Sequence, residues 1–250
     1  HGQDDYLVAL EFDVPLLMPV DDNGVLTDEA GPFAGLDVDE ANPVIIEWLR
    51  ERGTLVAQKE ILHSYPHCWR CHEPVIFRAT DQWFVSMDKN SLRENALKAI
   101  ENDVEWIPAW ASNRIGSMVA DRPDWCISRQ LWWGHRIPMF YCDECGWEDA
   151  SVEDVETCPV CGKPVRQDED VLDTWFSSQL WPFATMGWTE EGMDAPQMKQ
   201  AYPTQVLSTA RDIMGLWVAR MVMASMYCTD RIPFEHVIIH PTVMAADGKP

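Results

Sequence analysis

Two Cys-x2-Cys pairs, Cys142 with Cys145 and Cys158 with Cys161, stand twelve residues apart and constrain this chain more than any other feature. Each pair is followed at once by a glycine, Gly146 or Gly162, which lets the chain turn tightly so that backbone N–H groups face the thiolates. Two such knuckles close a tetrahedral four-sulfur site of the kind that suits Zn(II) or, less often, iron. The competing reading is two unrelated pairs of core or redox thiols. No fifth ligand or open coordination position is suggested, so the metal is expected to be structural. It would fold an insertion of about thirty residues, too small for a core of its own.

The other four cysteines are less directive. Cys68-x2-Cys71, in HSYPHCWRCHEP, has His63, His67 and His72 nearby. It reads as a tight turn carrying ordinary small residues, with a second metal site as the alternative. Cys126 and Cys228 lie in apolar surroundings and read as packed core thiols. The eight thiols do not form a disulfide framework, and the absence of an export segment points with them to the cytoplasm. The chain opens HGQDDYLVAL and closes ADGKP, and both ends read as cut from something longer. No apolar stretch reaches the roughly 20 residues of a bilayer crossing, and Arg220 interrupts the best candidate, so no membrane contact is expected.

Charge narrows the partners. Lys and Arg number 19 against 41 Asp and Glu, a net charge of −22. Such a chain cannot hold a polyanion over a broad basic face, because nucleic-acid binding needs several phosphates neutralised. RNA would have to touch it locally or bind elsewhere on a longer protein. A length of 250 residues allows one large domain or parts of two, and 13 Trp are the compositional outlier.

Along the chain, residues 1 to about 62 read as a small α/β segment. Asn42 and Pro43 make an N-cap and first-turn pair, Val44, Ile45, Trp48 and Leu49 fall on one helical face, and Gly53 ends the helix. Residues 74 to 87 read as strand, turn, strand. Ser91 and Glu94 form a capping-box pair opening a helix to about Ile100. A turn over Trp106 to Trp110 and a short helix over 113–119 follow. The last half alternates: CISRQ, the cysteine insertion, VLDTWF, a strand over Gln205 to Ser208, a helix over Asp212 to Tyr227 and the strand HVIIH. That order predicts a parallel sheet with crossover helices. In the long helix Asp212 occupies the first turn, and Ile213, Leu216, Trp217, Arg220, Met221 and Ala224 follow at helical spacing. Periodicity leaves open whether that face meets protein or ligand.

Several strings together resemble a known family. DWCISRQLWWGHRIP, the cysteine insertion, DVLDTWFSSQLWPF and YPTQVLSTARDIMGLWVARM resemble, in that order, the catalytic half of the class I aminoacyl-tRNA synthetases of the valyl, isoleucyl and leucyl group. HGQDDY and HSYPHCWRCHEPVIFRATDQWFVSMD resemble the end of the same family's editing domain and its connecting segment. The likeness covers essentially all 250 residues. It implies an α/β fold: the second half of a Rossmann-type parallel sheet with an inserted zinc ribbon, plus the C-terminal part of an α/β editing domain. Residues 1–78 would be the editing part and 79–120 the connecting segment. Residues 121–250 would form the second half of the nucleotide-binding domain, with the ribbon at about 139–167. Residues 1 to about 130 look most like isoleucyl enzymes and LWWGHRIP onward most like valyl enzymes. The change falls at DWCISRQ, which both share, so this is either a valyl lineage retaining isoleucyl-like segments or a joining of two related genes.

The resemblance also implies roles. Trp175, in LDTWFSS, and Trp217 would wall the amino-acid side-chain pocket, and Ile213 would narrow it. Rigid indoles give a dry cavity of fixed volume, but one methylene is worth only ~1–3 kcal/mol, which is why such enzymes need a second sieve. Asp212 would sit at the mouth of the adenylate site and order the ribose or the substrate ammonium. Isoleucyl enzymes carry Gln, His, Arg and Gly before the tryptophan; here stand Ile213, Met214, Gly215 and Leu216. Asp5 matches the editing-site aspartate that grips the ammonium of a mischarged ester through a charge-assisted hydrogen bond. Read without the family, HGQDDY is an acidic surface turn.

The implied activity joins valine, or alternatively isoleucine, to ATP with Mg(II) and passes the acyl group to tRNA, with hydrolytic editing. The tRNA would bind mainly through parts outside this stretch, and Zn(II) at Cys142, Cys145, Cys158 and Cys161 would be structural. The family's two ATP signatures, His-x-Gly-His and Lys-Met-Ser-Lys-Ser, do not occur in the sequence. No catalytic residue is therefore expected in it, and the isolated chain should not catalyse adenylation. A rival from another class is a non-catalytic zinc-ribbon module whose tryptophans stack on a partner, against which the acidic charge counts.

Overall fold

The computed structural model describes residues 3–68, 71–246 and 248. They fall into two units, His1–Asp81 and Gln82–Pro250.

In the first unit, helix α1 spans Gln3–Glu11 and helix α2 spans Val38–Glu51, with a 3-10 turn at Asp28–Phe33. Helix α2 starts earlier than the Asn42–Pro43 pair suggested. Asp37 is its cap, accepting the Asp39 N–H at 2.9 Å, and Asp39 and Glu40 complement the helix dipole in the first turn. Pro43 falls inside the helix. Phe33 meets the Trp48 ring edge-on at 5.5 Å, and the Arg52 guanidinium lies 4.1 Å over the same indole. The expected strands of an α/β segment are absent among the described residues; only isolated bridges form, such as Val20 with Leu26 and Val25 with Asp37. One described side chain in the unit is buried, Ala41.

The second unit carries the core. Its elements in order are β1 (Phe84–Val85), α3 (Leu92–Asn102), β2 (Glu105–Ile107), α4 (Trp110–Ala120), β3 (Trp125–Cys126), β4 (Ser128–Arg129), β5 (His135–Arg136), β6 (Met139–Tyr141), β7 (Glu148–Ala150), β8 (Arg166–Gln167) and β9 (Val171–Leu172). Then come α5 (Thr174–Ser178), α6 (Trp181–Ala184), α7 (Trp188–Glu191), α8 (Pro196–Ala201), β10 (Thr204–Ala210), α9 (Ala219–Thr229) and β11 (Phe234–His240). Strands β10, β11 and β2 form a parallel sheet in that order, with β11 in the middle. The β10–α9–β11 unit is the crossover that parallel neighbours require.

Helical spacing explains the packing. Leu92, Ala96, Ala99 and Ile100 of α3 and Ala111, Ile115 and Val119 of α4 are buried on one face each. They join Val237 and Ile239 of β11 and the α9 residues Met221, Val222 and Met223 in one cluster. Helix α9 is buried along the whole run Ala219–Ser225, as an element with neighbours on several sides must be. Of the stretch 79–120 expected as a connecting segment, residues 82–120 lie in this unit, where β2 pairs with β11 and α3 and α4 supply much of the core.

Other local expectations are corrected too. The stretch over Trp106–Trp110 begins as strand β2, with Trp106 buried and its indole N–H donating to the Ile100 carbonyl at 2.8 Å. Ser91 stands at the start of α3, but its φ of 55° turns the side chain away from the helix N–H groups and no cap bond forms. The helix drawn over Asp212 to Tyr227 is three pieces: a 3-10 turn at Arg211–Ile213, a π turn at Met214–Val218, then α9.

Candidate functional site

The cysteine insertion is a three-stranded antiparallel sheet, β7–β6–β8, with a knuckle at each end of its long excursion. In the first knuckle the Cys142 N–H reaches the Trp147 carbonyl at 2.8 Å and the Gly146 N–H returns to Cys142 at 2.9 Å; Cys158, Lys163 and Gly162 repeat the pattern at 2.7 and 2.9 Å. Both glycines have φ of 71°, a left-handed turn that a Cβ would strain. The four Sγ atoms converge within 4.8 Å of one another. Two of the separations are 3.4 Å, Cys142 to Cys161, and 3.6 Å, Cys145 to Cys158. Tetrahedral ligands at the usual zinc–sulfur distance lie ~3.8 Å apart, so the donor set fits Zn(II) with little movement.

Crowding pushes two of the thiols in opposite directions. Burial raises Cys158, but the N–H groups of Cys161 and Val160 and the neighbouring thiols outweigh it and bring it down to about 7. The Trp147 N–H lowers Cys145, yet burial and the three surrounding thiols dominate and push it up to about 12. Four thiols this close share protons, and a divalent ion removes the conflict. Tyr141 on β6 donates to Asp168 at 2.7 Å, and the Trp83 indole N–H donates to the same oxygen at 2.8 Å, tying the ribbon's edge to Trp83 just before β1.

The Cys68–Cys71 turn has the same backbone plan. Cys68 N–H bonds the Glu73 carbonyl and His72 N–H bonds the Cys68 carbonyl, both at 2.8 Å. His67 bridges Pro74 as Thr157 bridges Pro164, and His72 takes the glycine position with φ of 65°. Trp69 and Arg70 lie outside the described residues. Among the described residues no group of three or more donors gathers here, whereas the four ribbon cysteines do.

A second constellation surrounds Trp175. The turn at Asp173 is buried and caps α5: its Oδ1 accepts the Trp175 N–H at 3.1 Å. Its Oδ2 accepts the Trp125 indole N–H at 3.0 Å and Arg129 Nη2 at 2.8 Å. Helix α5 is tied on its far side by Trp217, whose Nε1 donates to the Ser178 carbonyl at 3.4 Å. Trp175 and Trp217 therefore belong to neighbouring elements, and both are half-buried. The Arg220 guanidinium is 4.0 Å over the Trp125 ring and 5.9 Å from the Trp175 centroid.

Beside this cluster opens a cleft of about 610 Å³ lined by Arg122, Asp124, Trp125, Asp212, Leu216 and Arg220 among others. Asp212 lies on it, exposed, accepting the Thr242 hydroxyl at 3.0 Å. Trp175, Ile213 and Trp217 are not part of its lining. The π turn aims Gly215 and Leu216 at the cleft and Trp217 at α5, so Asp212 and the indoles serve different sides of one segment. Asp5 occupies the first turn of α1 and is exposed. Sequence reasoning passed over Trp125, Asp173 and Arg122. The Asp-Thr-Trp string preceding α5 was an N-cap signal that could have found Asp173.

The family described as tRNA synthetases class I (I, L, M and V) matches residues 34–250. The valine–tRNA ligases of Thermotoga maritima and Carboxydothermus hydrogenoformans are 45% and 44% identical over 252 and 251 aligned positions. The isoleucine–tRNA ligase of Kosmotoga olearia is 40% identical over 277. Each match takes in 100% of this chain but only 28% or 29% of the relative, so the chain spans less than a third of their length. The valine relatives match through both halves, including the first 130 residues.

Proposed function

Because the chain belongs to the class I tRNA synthetases of the I, L, M and V group, we propose that it is part of an enzyme that activates valine with ATP and transfers it to tRNA. The alignments support valine: the valine relatives run almost residue for residue with the chain, whereas the isoleucine relative needs 277 positions. The observation that carries the site reading is the bond from Trp217 Nε1 to the Ser178 carbonyl, which joins the two tryptophan-bearing elements.

In this reading the faces of Trp175 and Trp217 bound the aliphatic side chain and exclude water, and Ile213 shortens the space. Asp212, held through one oxygen by Thr242, lines the adjoining cleft, so of its two expected partners a ribose hydroxyl fits better than the ammonium of an amino acid seated between the indoles. The reaction is attack of the amino-acid carboxylate on the α-phosphate, so these residues contribute binding and orientation rather than a nucleophile. Neither ATP signature occurs in this sequence, so no phosphate step is assigned to its side chains. Zn(II) fits Cys142, Cys145, Cys158 and Cys161, where it would supply only a fixed tetrahedral anchor for the ribbon.

Residues 1–78 are assigned to an editing domain, with Asp5 gripping the ammonium of a mischarged ester, on the family resemblance alone. The cytoplasm is the compartment where four reduced thiols keep their metal; among the described residues no helix is long and apolar enough to cross a membrane. The binding-module alternative is less well supported, because the ribbon is a small appendage to a unit whose main core is the parallel sheet and its helices.

Amino-acid-dependent pyrophosphate exchange by the full-length protein tests the proposal. Valine is expected to stimulate exchange; stimulation by isoleucine and not valine overturns the substrate assignment.

A further inference from the structure

Arg220 is 7% exposed, on a helix otherwise packed with apolar side chains. Its Nη1 donates to the Leu216 carbonyl at 3.0 Å, and its Nε has no hydrogen-bond partner among the described residues. The charges around it are unfavourable on balance. Burial first, then Arg122 and Arg129 against the opposing Asp173, bring its pKa down to about 10. It remains a cation at neutral pH. A buried cation with an orphaned N–H is destabilising, and an apolar side chain of similar volume would pack there without that penalty. Core stability therefore does not account for it.

What the guanidinium does have is two rings. Its Cζ lies 4.0 Å over the Trp125 ring, within full cation–π range, and reaches the Trp175 ring at 5.9 Å, near the outer limit. Trp125 is immobilised by Asp173, and the same carboxylate caps the first turn of the helix bearing Trp175. The backbone of Trp175 is thus pinned by Asp173, and its ring is met by a planar cation whose own position is fixed by Trp125. A lysine could supply the charge but not the plate.

We propose that Arg220 is a positioning residue that sets the tilt of the Trp175 indole, and so the width of the aliphatic pocket between Trp175 and Trp217. This rests on the reading of those two rings as pocket walls. Arg220 acts on the aliphatic pocket through Trp175 rather than by contact with the amino-acid side chain, and it makes discrimination between valine and a longer branched side chain depend on a buried stack.

The test is pyrophosphate exchange by the full-length protein carrying Arg220→Met, Arg220→Lys or Trp175→Phe, with valine and isoleucine compared. Arg220→Met is expected to raise KM for valine about tenfold with kcat within about threefold, and to reduce the preference for valine over isoleucine; a looser wall admits the longer side chain. Arg220→Lys should fall between it and the parent. Unchanged KM and unchanged preference in Arg220→Met, while Trp175→Phe alters both, overturn the role of Arg220 and leave the pocket standing. If Trp175→Phe alters neither, the pocket reading fails and this inference with it. Should Arg220→Met not fold, Arg220→Lys decides: a preference equal to the parent's overturns the proposal.

Discussion

Asp173 accepts the indole N–H of Trp125 at 3.0 Å from a position where its carboxylate is almost wholly buried. The two residues come from short strands and turns far apart in sequence, and their meeting organises the candidate pocket. One oxygen serves Trp125 and Arg129, and the other caps the helix of Trp175. A single carboxylate thereby fixes a ring, a cation and a helix start.

Removing it leaves three groups without their acceptor. Asp173→Ala is expected to lower stability by about 2 kcal/mol, the scale for losing charge-assisted hydrogen bonds at a buried carboxylate whose Arg129 partner is 37% exposed. Asp173→Asn, which keeps an acceptor oxygen but loses the charge, should cost less. Urea unfolding of the two variants measures both, and a loss under about 1 kcal/mol for the alanine variant contradicts the hub role.

Metal analysis should find one zinc bound by Cys142, Cys145, Cys158 and Cys161, and Cys158→Ser should abolish it. Strong chelation is expected to melt residues 139–167 while leaving α9 intact, because the ribbon contributes nothing to the main cluster. Amide hydrogen exchange tells the two apart. Equal loss of protection in α9 would show that the ribbon and core unfold together.

Gly134 sits where a Cβ would come within 2.6 Å of Val171 Cγ2. Gly134→Ala should therefore destabilise by about 1–3 kcal/mol, and Val171→Ala in the same chain should recover part of that loss. A double-mutant cycle reads the coupling. Additive losses would mean that the loop after β4 shifts away without strain.

Arg93 Nε lies 2.7 Å from Asp88, and its Nη1 also takes the Val119 and Ala120 carbonyls at the end of α4. The Arg93 hydrogen bond holds the Asp88 carboxyl below its ordinary 3.8. A depressed folded-state pKa means that the pair's contribution is complete above the unfolded value and disappears as pH falls through the folded one. NMR titration of Asp88 should give a midpoint below 3.8 that rises in Arg93→Gln. An unchanged midpoint would deny the pairing in solution.

Residues 1–81 expressed alone are expected to stay unfolded, since Ala41 is the one buried side chain described in that unit. Leu7, Leu10, Phe12 and Leu17 are all more than half exposed. An apolar surface of that size does not offset chain entropy. Far-UV circular dichroism with a cooperative melt would disprove it.

The strongest sequence signals were those whose chemistry is local. Gly146 and Gly162 after their cysteine pairs dictated two knuckles, and the alternation of β10, α9 and β11 predicted a parallel crossover. Both follow from spacing alone. The Ser91 cap failed because the backbone at that residue is left-handed, which no side-chain identity announces. Strand β2 was hidden because Pro108 and two tryptophans make residues 105–110 look like a turn; only the pairing with β11 reveals a strand. The Trp125–Asp173–Arg220 cluster joins residues distant in sequence, so no window of helical or strand period could contain it. Resemblance indicated Trp175 and Trp217, but not that Asp212 lines a cleft to which neither indole contributes.

The π turn at Met214–Val218 makes segment length a determinant in its own right. A turn of this kind carries one residue more than a regular helix would. The surplus residue is taken up inside the turn, so a single deletion there would let the segment wind as an ordinary helix with its flanks near their present bearings. The bulge itself is what separates the residues that line the cleft from the one that reaches α5. A deletion that removes it should disturb Gly215 and Leu216 while leaving Asp212 and α9 close to where they are.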